Sequence, residues 1–469
     1  MRSISPYAFC RLAAVAIFAS AAADAATLYH SGTVIPLADE LPSVLRPGWF
    51  LVNDLGEIDG IGEGTPSPAL QEMTEQSVDL SGRLVIPGFV SGHSHLWQSA
   101  FRGIAPDGEL WPWINALHRT YGADFAPGDL AAVTAHGALD QLRHGVTTTY
   151  NHSHWLDFDA DLYFEQFEAQ AQLPQRFIFA HCLPLEESPE FWRKQIAERF
   201  PAKSDPIALE PYLGLSINLR PYGPPELAAA QVAFAEELGV TVQLHYLEQS
   251  ARQEGDRANW PMYREVGIPA AKTSFAHFIH TTEEIRDEAA AAGASMIWNP
   301  LSNGRLGSGL PDIRGYLAAG LGVGMGVDGQ ASADLSDPFA NMRMGLYALR
   351  MREENADGLQ PLDILRLHTL ATARVIGVDA YVGSLEPGKF ADFLVLDPAN
   401  PPTGPVWDPL PHLVFALSTE NIEAVYIAGE KIVEQGKVLG HDTAALGREV
   451  ETRIRALRDR HAARVAAQP

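Results

Sequence analysis

Cysteine is almost missing from this chain. Of its 469 residues only Cys10 and Cys182 carry a thiol, so no framework of disulfides holds the fold, and stability has to come from a buried core. Basic residues are scarce as well: 34 Lys and Arg stand against 58 Asp and Glu, a formal net charge of −24. Such a surface repels polyanions, which argues against nucleic acid or anionic membrane as a partner and for a small molecule. From residue 26 onward no apolar stretch reaches the roughly 20 residues that span a bilayer.

The start of the chain is different. Arg2 and Arg11 precede the apolar run LAAVAIFASAAA, which closes on Ala23-Asp24-Ala25. Residues 1–25 read as an export signal cleaved after Ala25; the run is short for a membrane anchor. Cleavage removes Cys10 and leaves Cys182 alone, and the expected location is the periplasm or the exterior. With 46% hydrophobic and 9% aromatic residues, the remaining chain can bury one large core or two moderate ones.

Two strand-rich blocks bracket the middle. TLYHSGTVIP, WFLVN and RLVIPGF lie within residues 27–90, and FADFLVLD and NIEAVYIAGEKIVEQGKV return near the end, so residues 27–85 and 379–440 are expected to form one small β-sandwich domain. Between them, residues 86–378 alternate helical patterns such as PGDLAAVTAHGALDQLRHG with brief apolar runs: VTTTY, RFIFAH, LGLSINL, VTVQLHY, TSFAHF, SMIWN and VGMGVD. Repeated strand-then-helix units predict an α/β fold, a (β/α)8 TIM-like barrel. A doubly wound open sheet is the alternative, but it feeds its ligand from few strand ends, whereas polar residues stand at many here. Residues 441–469 carry Val450, Ile454 and Leu457 at helical spacing and are expected to form a packed C-terminal helix.

The strand ends hold the chemistry. In SGHSHLWQSAFRG, His93 and His95 are one residue apart, so on a strand they share a face, as two ligands of one ion must. VTVQLHYLEQS adds His245 and Glu248, TSFAHFIH adds His277 and His280, and GVGMGVDG adds Asp328. Three histidines with one carboxylate suit a divalent transition metal, zinc in preference to iron, with a position left for water.

The motifs PGFVSGHSH, HGVTTTY, HYLE, AHFIHTTEEI, NPLSNGRLGSG, GVGMGVDG and GSLEPGKFADFLVLD together resemble the amidohydrolase superfamily, in particular its chlorohydrolase and heterocycle-deaminase branch, over residues 27 to 440. The resemblance implies that His93, His95, His245 and Asp328 bind the metal, that Glu248 shuttles protons, and that His277 polarises the substrate or the attacking water. A bound ion lowers the pKa of water from ~15.7 toward about 7 and so supplies hydroxide at neutral pH. Binuclear members bridge two metals with a carboxylated lysine after the fourth strand; LGLSINLRPYG contains none, which implies one metal per chain.

Substrate contacts are less determined. Gln98 stands where guanine-type deaminases also show glutamine. Arg220 either binds a carboxylate or carbonyl of the substrate or pairs with a surface acid. The aromatic segment QSAFRGIAPDGELWPWINALHRTYG is placed to form a lid, in which Trp97, Trp111 and Trp113 either stack on a planar ring or simply pack. His152 and His154 repeat the same-face spacing; a second metal is one reading, and pocket lining, with His154 contacting substrate, is preferred. Gln330 replaces the usual alanine and marks a local specificity change, and Arg102 is structural. The expected function is a metal-dependent hydrolase of non-peptide C–N bonds, foremost a heterocycle deaminase. Amide or carbon–halogen hydrolysis at the same site and a non-catalytic metal-containing binding protein are the alternatives. A homo-oligomer stays open.

Overall fold

The computed structural model describes residues 26–154, 160–202 and 205–468; the expected export signal lies outside them. The first strands are β1 (Thr27–Val34), β2 (Leu45–Val52), β3 (Ile58–Glu63), β4 (Gln76–Asp79) and β5 (Leu84–Pro87). After Gly88 the chain enters the barrel through β6 (Phe89–His95), β7 (Val146–His152), β8 (Arg176–Cys182), β9 (Tyr212–Asn218), β10 (Thr241–Tyr246), β11 (Thr273–His277), β12 (Ser295–Trp298), β13 (Gly322–Met325) and β14 (Asp328–Gly329). It then returns to the first sheet with β15 (Phe393–Leu396), β16 (Ile422–Ile427), β17 (Glu430–Glu434) and β18 (Lys437–Val438). The run RLVIPGF, read as one strand of the small sheet, divides at Gly88: its first half stays in that sheet and its second begins the barrel.

The barrel is closed by one interrupted strand. β13 pairs in parallel with β12, and β14, two residues further on, pairs in parallel with β6. Residues 322–329 thus serve as the eighth strand, reaching both neighbours in turn. Gly326, at the break, lies so close to β6 that a Cβ there would stand 2.8 Å from the His93 backbone; only glycine lets the eighth strand approach the first so closely.

The chain ends form one nine-stranded sheet in the order β18-β17-β16-β15-β5-β1-β2-β3, with β4 on β1. It curls so that its two halves face each other as a sandwich does. The stacked cross-strand pair Tyr29–Phe50 (4.8 Å) meets the stacked pair Phe393–Tyr426 (4.3 Å), with Tyr29 and Phe393 edge to face at 5.0 Å. A buried ion pair fixes this sheet to the barrel. Arg176, at the start of β8, holds Asp392 through two hydrogen bonds of 2.6 and 2.9 Å, its guanidinium lies over the Phe390 ring, and Asp392 also accepts the Ala428 amide at 2.9 Å. The FADFLVLD motif therefore works mechanically, through its aspartate.

The last helix, Thr443–Ala466, packs as its spacing predicts. Val450 and Leu457 are buried and Ile454 partly so, in a cluster with Trp97, Phe101, Trp113, Leu117 and Phe125 of the lid segment. Two buried carboxylates beneath it are held from the same helix: Asp124 by Arg464 (2.7 Å) and His461 (2.9 Å), Asp129 by Arg460 and by Arg453 (3.3 Å). Among the described residues no helix is long and apolar enough to cross a membrane.

Asp392→Ala should be costly, because it leaves the fully buried Arg176 charge uncompensated. We expect a loss of about 3–5 kcal/mol, measured by urea unfolding. A loss below about 1 kcal/mol would show that the pair does not hold sheet and barrel together.

Candidate metal and active site

The polar strand ends converge at the C-terminal rim of the barrel, where such barrels carry their active sites. His93 and His95 end β6, His152 ends β7, His245 lies one residue from the end of β10, His277 ends β11 and Asp328 begins β14. His93 and His95 do share a face, with ring centroids 4.6 Å apart. Leu247, His277 and Asp328 all have positive φ (52°, 70° and 58°), so the chain bends sharply where β10 and β11 end and where β14 begins. Non-glycine residues in this region carry strain, which clusters at functional sites.

Hydrogen bonds on the far side of each ring set which nitrogen faces the centre. His93 Nδ1–H donates to Gln243 Oε1 at 2.6 Å, and His95 Nδ1–H donates to the His152 carbonyl at 2.6 Å. Their Nε2 atoms are then bare lone pairs, the form a metal ligand takes. Gln243 cannot be turned the other way, because its Nε2 donates to the Gly92 carbonyl (2.9 Å) and Ser274 Oγ (3.0 Å). His277 and His154 are the reverse. Asn303 Nδ2–H donates to His277 Nδ1 at 2.8 Å, and Trp97 Nε1–H donates to His154 Nδ1 at 3.3 Å. Each neutral ring then carries its proton on Nε2 and presents a donor.

The bare nitrogens and the carboxylate lie close together. His95 Nε2 is 3.3 Å from His245 Nε2 and 3.4 Å from Asp328 Oδ1, and His93 Nε2 is 3.6 Å from the same oxygen. Ligands about 2.0–2.1 Å from a tetrahedral zinc stand roughly 3.3–3.4 Å from one another. His93 Nε2 is buried without a hydrogen-bond partner, and His93, His95 and Asp328 form a group able to hold an ion, as do overlapping sets that include His245. The donor set fits a divalent transition metal. β9, the fourth barrel strand, carries no lysine.

Burial, reinforced by the neighbouring imidazoles, brings His93 down to about 3 and holds His95 and His245 below the ordinary histidine value, so these three imidazoles are neutral, as binding requires. Burial alone would raise Asp328; His93, His277 and His95 outweigh it and bring the carboxyl down to about 2. Glu248 goes the other way. Burial lifts its pKa, with Asp328 adding to the rise and His277 opposing it. Its Oε2 lies 3.9 Å from His277 Nε2, and that nitrogen lies 3.8 Å from Asp328 Oδ2. Two carboxyl groups on one site are thus pushed apart in acidity, the pattern of a permanent anion beside a proton carrier.

The residues read as substrate contacts divide. Gln98 is fully buried with neither amide atom partnered, and its Oε1 lies against Gly329, in the space that a Cβ there would take. Trp97 is fully buried among lid aromatics and spends its N–H on His154, so it supports that histidine from behind. Arg220 donates to the Leu183 carbonyl and, among the described residues, has no carboxylate within ion-pair distance; its backbone is clamped by Gln231 at both N–H and carbonyl, each at 3.0 Å. His152 shares the Gln243 acceptor at 3.1 Å, opposite in tautomer to His154, so the two do not present a matched pair of ligands.

Gln330 faces away from the site and donates to the Gly137 carbonyl (3.0 Å) and Ser336 Oγ (2.9 Å), which corrects the reading of a specificity change. His280 donates to the Ser308 carbonyl at 2.7 Å and lies outside the cluster. Arg102 is structural, bonded to Asp140 and to the Ser99 and Asp334 carbonyls. Three residues escaped the sequence reading: Gln243, Asn303 and His118. Gln243 could have been found, since it lies two residues before His245 and so shares its face.

Comparison with known proteins agrees with this geometry. The profile of the Amidohydrolase family matches residues 84–432. A 5-methylthioadenosine/S-adenosylhomocysteine deaminase of Bacillus thuringiensis (strain Al Hakam) is 27% identical over 423 residues, 88% of this chain and 94% of that one. Among solved structures, an adenosine deaminase from Xanthomonas campestris with bound zinc superposes with a TM-score of 0.81 at 23% identity, covering 92% of this chain and 98% of that one. An atrazine chlorohydrolase from Arthrobacter aurescens TC1 complexed with zinc gives 0.79 at 22% identity, covering 91% and 100%. The chain belongs to the amidohydrolase family and is a metal-dependent hydrolase of non-peptide carbon–nitrogen bonds.

Proposed function

We propose that this site deaminates a nitrogen heterocycle by hydrolysis, using one divalent transition metal, zinc in preference to iron, held by His93, His95, His245 and Asp328. The observation that carries the reading is the division of the histidines by tautomer: lone pairs from His93, His95 and His152 beside N–H donors from His277 and His154, with the buried Glu248 3.9 Å from His277. The deaminase named among the relatives, matched along nearly its whole length, supports the choice of an amine leaving group.

When bound, the ion supplies an activated water at neutral pH. Glu248, its pKa raised by burial, takes a proton from the attacking water and returns it to the departing nitrogen. His277 Nε2–H donates to the ring nitrogen or exocyclic group where negative charge develops, held in that orientation by Asn303. Asp328 stays ionised throughout. His154 and Gln98 offer hydrogen bonds to the heterocycle, and Arg220 is free to meet a substituent. The reading of residues 1–25 as an export signal supports a periplasmic or secreted enzyme acting on a small molecule.

Purified protein should contain close to one equivalent of transition metal by elemental analysis; two tightly held equivalents, the second lost on replacing His152 and His154, would overturn the mononuclear assignment. Gln243→Leu should weaken metal retention against a chelator by roughly 10- to 100-fold, since it releases the His93 tautomer. Unchanged retention would remove Gln243 from that role.

Glu248→Gln should keep its metal and lose about 100-fold or more in turnover, whereas His93→Ala should lose both. The bond cleaved is settled by assaying aminopurines, aminopyrimidines, aminotriazines, chlorotriazines and cyclic amides in parallel for ammonia, chloride and new acid. Ammonia from an aromatic amine is the expected product. Chloride alone, or acid from amides alone, would replace deamination with the corresponding hydrolysis, and binding without product would favour a non-catalytic protein.

A further inference from the structure

One short segment touches both proton-handling groups of the proposed reaction. In the helix Pro300–Arg305, Asn303 Nδ2–H donates to His277 Nδ1 at 2.8 Å. Three residues past the helix, the buried Ser308 donates from Oγ to Glu248 Oε1 at 3.4 Å and from its backbone N–H to the Asn303 carbonyl at 2.9 Å. A shift of this segment therefore reaches the ring donor and the proton carrier together.

Packing alone does not fix the segment. A cavity of about 300 Å³ lies between it and the helix Pro338–Glu353, with Asn303, Gly304 and Gly307 on one wall and Met344, Gly345 and Ala348 on the other. Atoms that face a void have no partners on that side to resist displacement.

Arg305, the last residue of the short helix, joins it to the lid segment. Its Nη2–H donates to the Ile104 carbonyl at 2.6 Å, its Nη1–H to the Ala105 carbonyl at 3.0 Å, and its Nε–H to Asp334 Oδ2 at 2.9 Å. Asp334, in the loop after β14, also accepts the Gly103 amide through Oδ1 at 2.6 Å and Arg102 Nε–H through its carbonyl at 3.2 Å. Ala105 and Asp334 both have positive φ (48° and 60°), a conformation that local preference disfavours and surrounding contacts must maintain. Only a planar guanidinium aims three N–H groups in fixed directions at two carbonyls and a carboxylate; an ammonium cannot.

We propose that Arg305 is a positioning residue for the hydrolysis: by clamping the short helix to the Gly103–Ala105 loop, it keeps Asn303 on His277 and Ser308 on Glu248. This rests on the roles proposed above for His277 and Glu248. The placement of the lid segment is thereby transmitted to the groups that move protons, although Arg305 itself touches neither of them.

The test uses the full chain with its metal restored and its histidines isotopically labelled for ring-nitrogen NMR. The His277 signals, identified by their loss in His277→Gln, show which nitrogen carries the proton and need no substrate. Arg305→Met, which keeps the length and loses every donor, should move them from the Nε2–H form toward a mixture of tautomers. It should also lower kcat about tenfold on the aromatic amine that releases ammonia, with KM within about twofold. Arg305→Lys should recover part of both effects. Asp334→Asn, a residue type that tolerates positive φ, removes the charge facing Arg305 and should shift the signals in the same direction, so the outcome does not hang on Arg305→Met folding. Native His277 signals in folded Arg305→Met, or in Asp334→Asn where the former does not fold, overturn the proposal. Ammonia from no amine, with His277 signals that still respond to Arg305→Met, would refute deamination and support the clamp, so the two failures are distinguishable.

Discussion

The carboxamide of Gln243 is the constraint on which the centre depends. Its N–H groups are committed to the Gly92 carbonyl and the Ser274 hydroxyl, and its oxygen receives Nδ1–H from both His93 and His152. All three elements that it links are barrel strands or their ends, so a rigid scaffold decides the protonation of a ligand. Turning the amide over would oppose N–H to N–H and strand four buried groups at once, a cost of several hydrogen bonds. The lone pair on His93 Nε2 is therefore fixed before any ion arrives, and the reverse polarity of His277, set by Asn303, makes a donor of a ring 5.5 Å away.

Barrel closure and the site are one piece of geometry. Asp328 reaches the cluster because β14 pairs with β6 at Ser94 and His95, and the close approach of the two strands leaves no room for a side chain at Gly326. The sheet at the chain ends contributes nothing chemical. Yet its strand β5 runs into β6 through a single residue, Gly88, and the Arg176–Asp392 pair ties it to β8, so movement of one body is transmitted to the strand that carries two proposed ligands. The C-terminal helix holds the lid segment by two buried carboxylates, Asp124 and Asp129.

Much of this was legible in the sequence, for a physical reason. Strand-end histidines and the aspartate stand out because polar residues interrupt apolar runs at a fixed phase, and the βα alternation gives the barrel. What was hidden depends on direction rather than residue type. Gln330 and His280 have the chemistry of site residues, but the chain turns them toward Gly137 and Ser308. Gln243 has an ordinary amide, and its role exists only because two strands place His93 and Ser274 on either side of it. Trp97 read as a stacking surface; the fold buries it one layer back. The tautomers that separate ligands from donors are set by partners 26 to 150 residues away, beyond any local pattern.

The places where local rules fail also mark the site. Left-handed φ at His277 and Asp328, unpartnered amide atoms on Gln98, and unpartnered buried nitrogens on His93, His152 and His118 each cost stability by themselves. A core of this size could have removed them by substitution. Instead they lie around the strand ends and under the lid, held by fully satisfied neighbours such as Gln243 and by the ion pairs to Asp124 and Asp129. At the strand ends this strain and unsatisfied polarity fall on groups that a metal or a substrate would complete, and the surrounding structure supplies the rigidity that keeps them from relaxing.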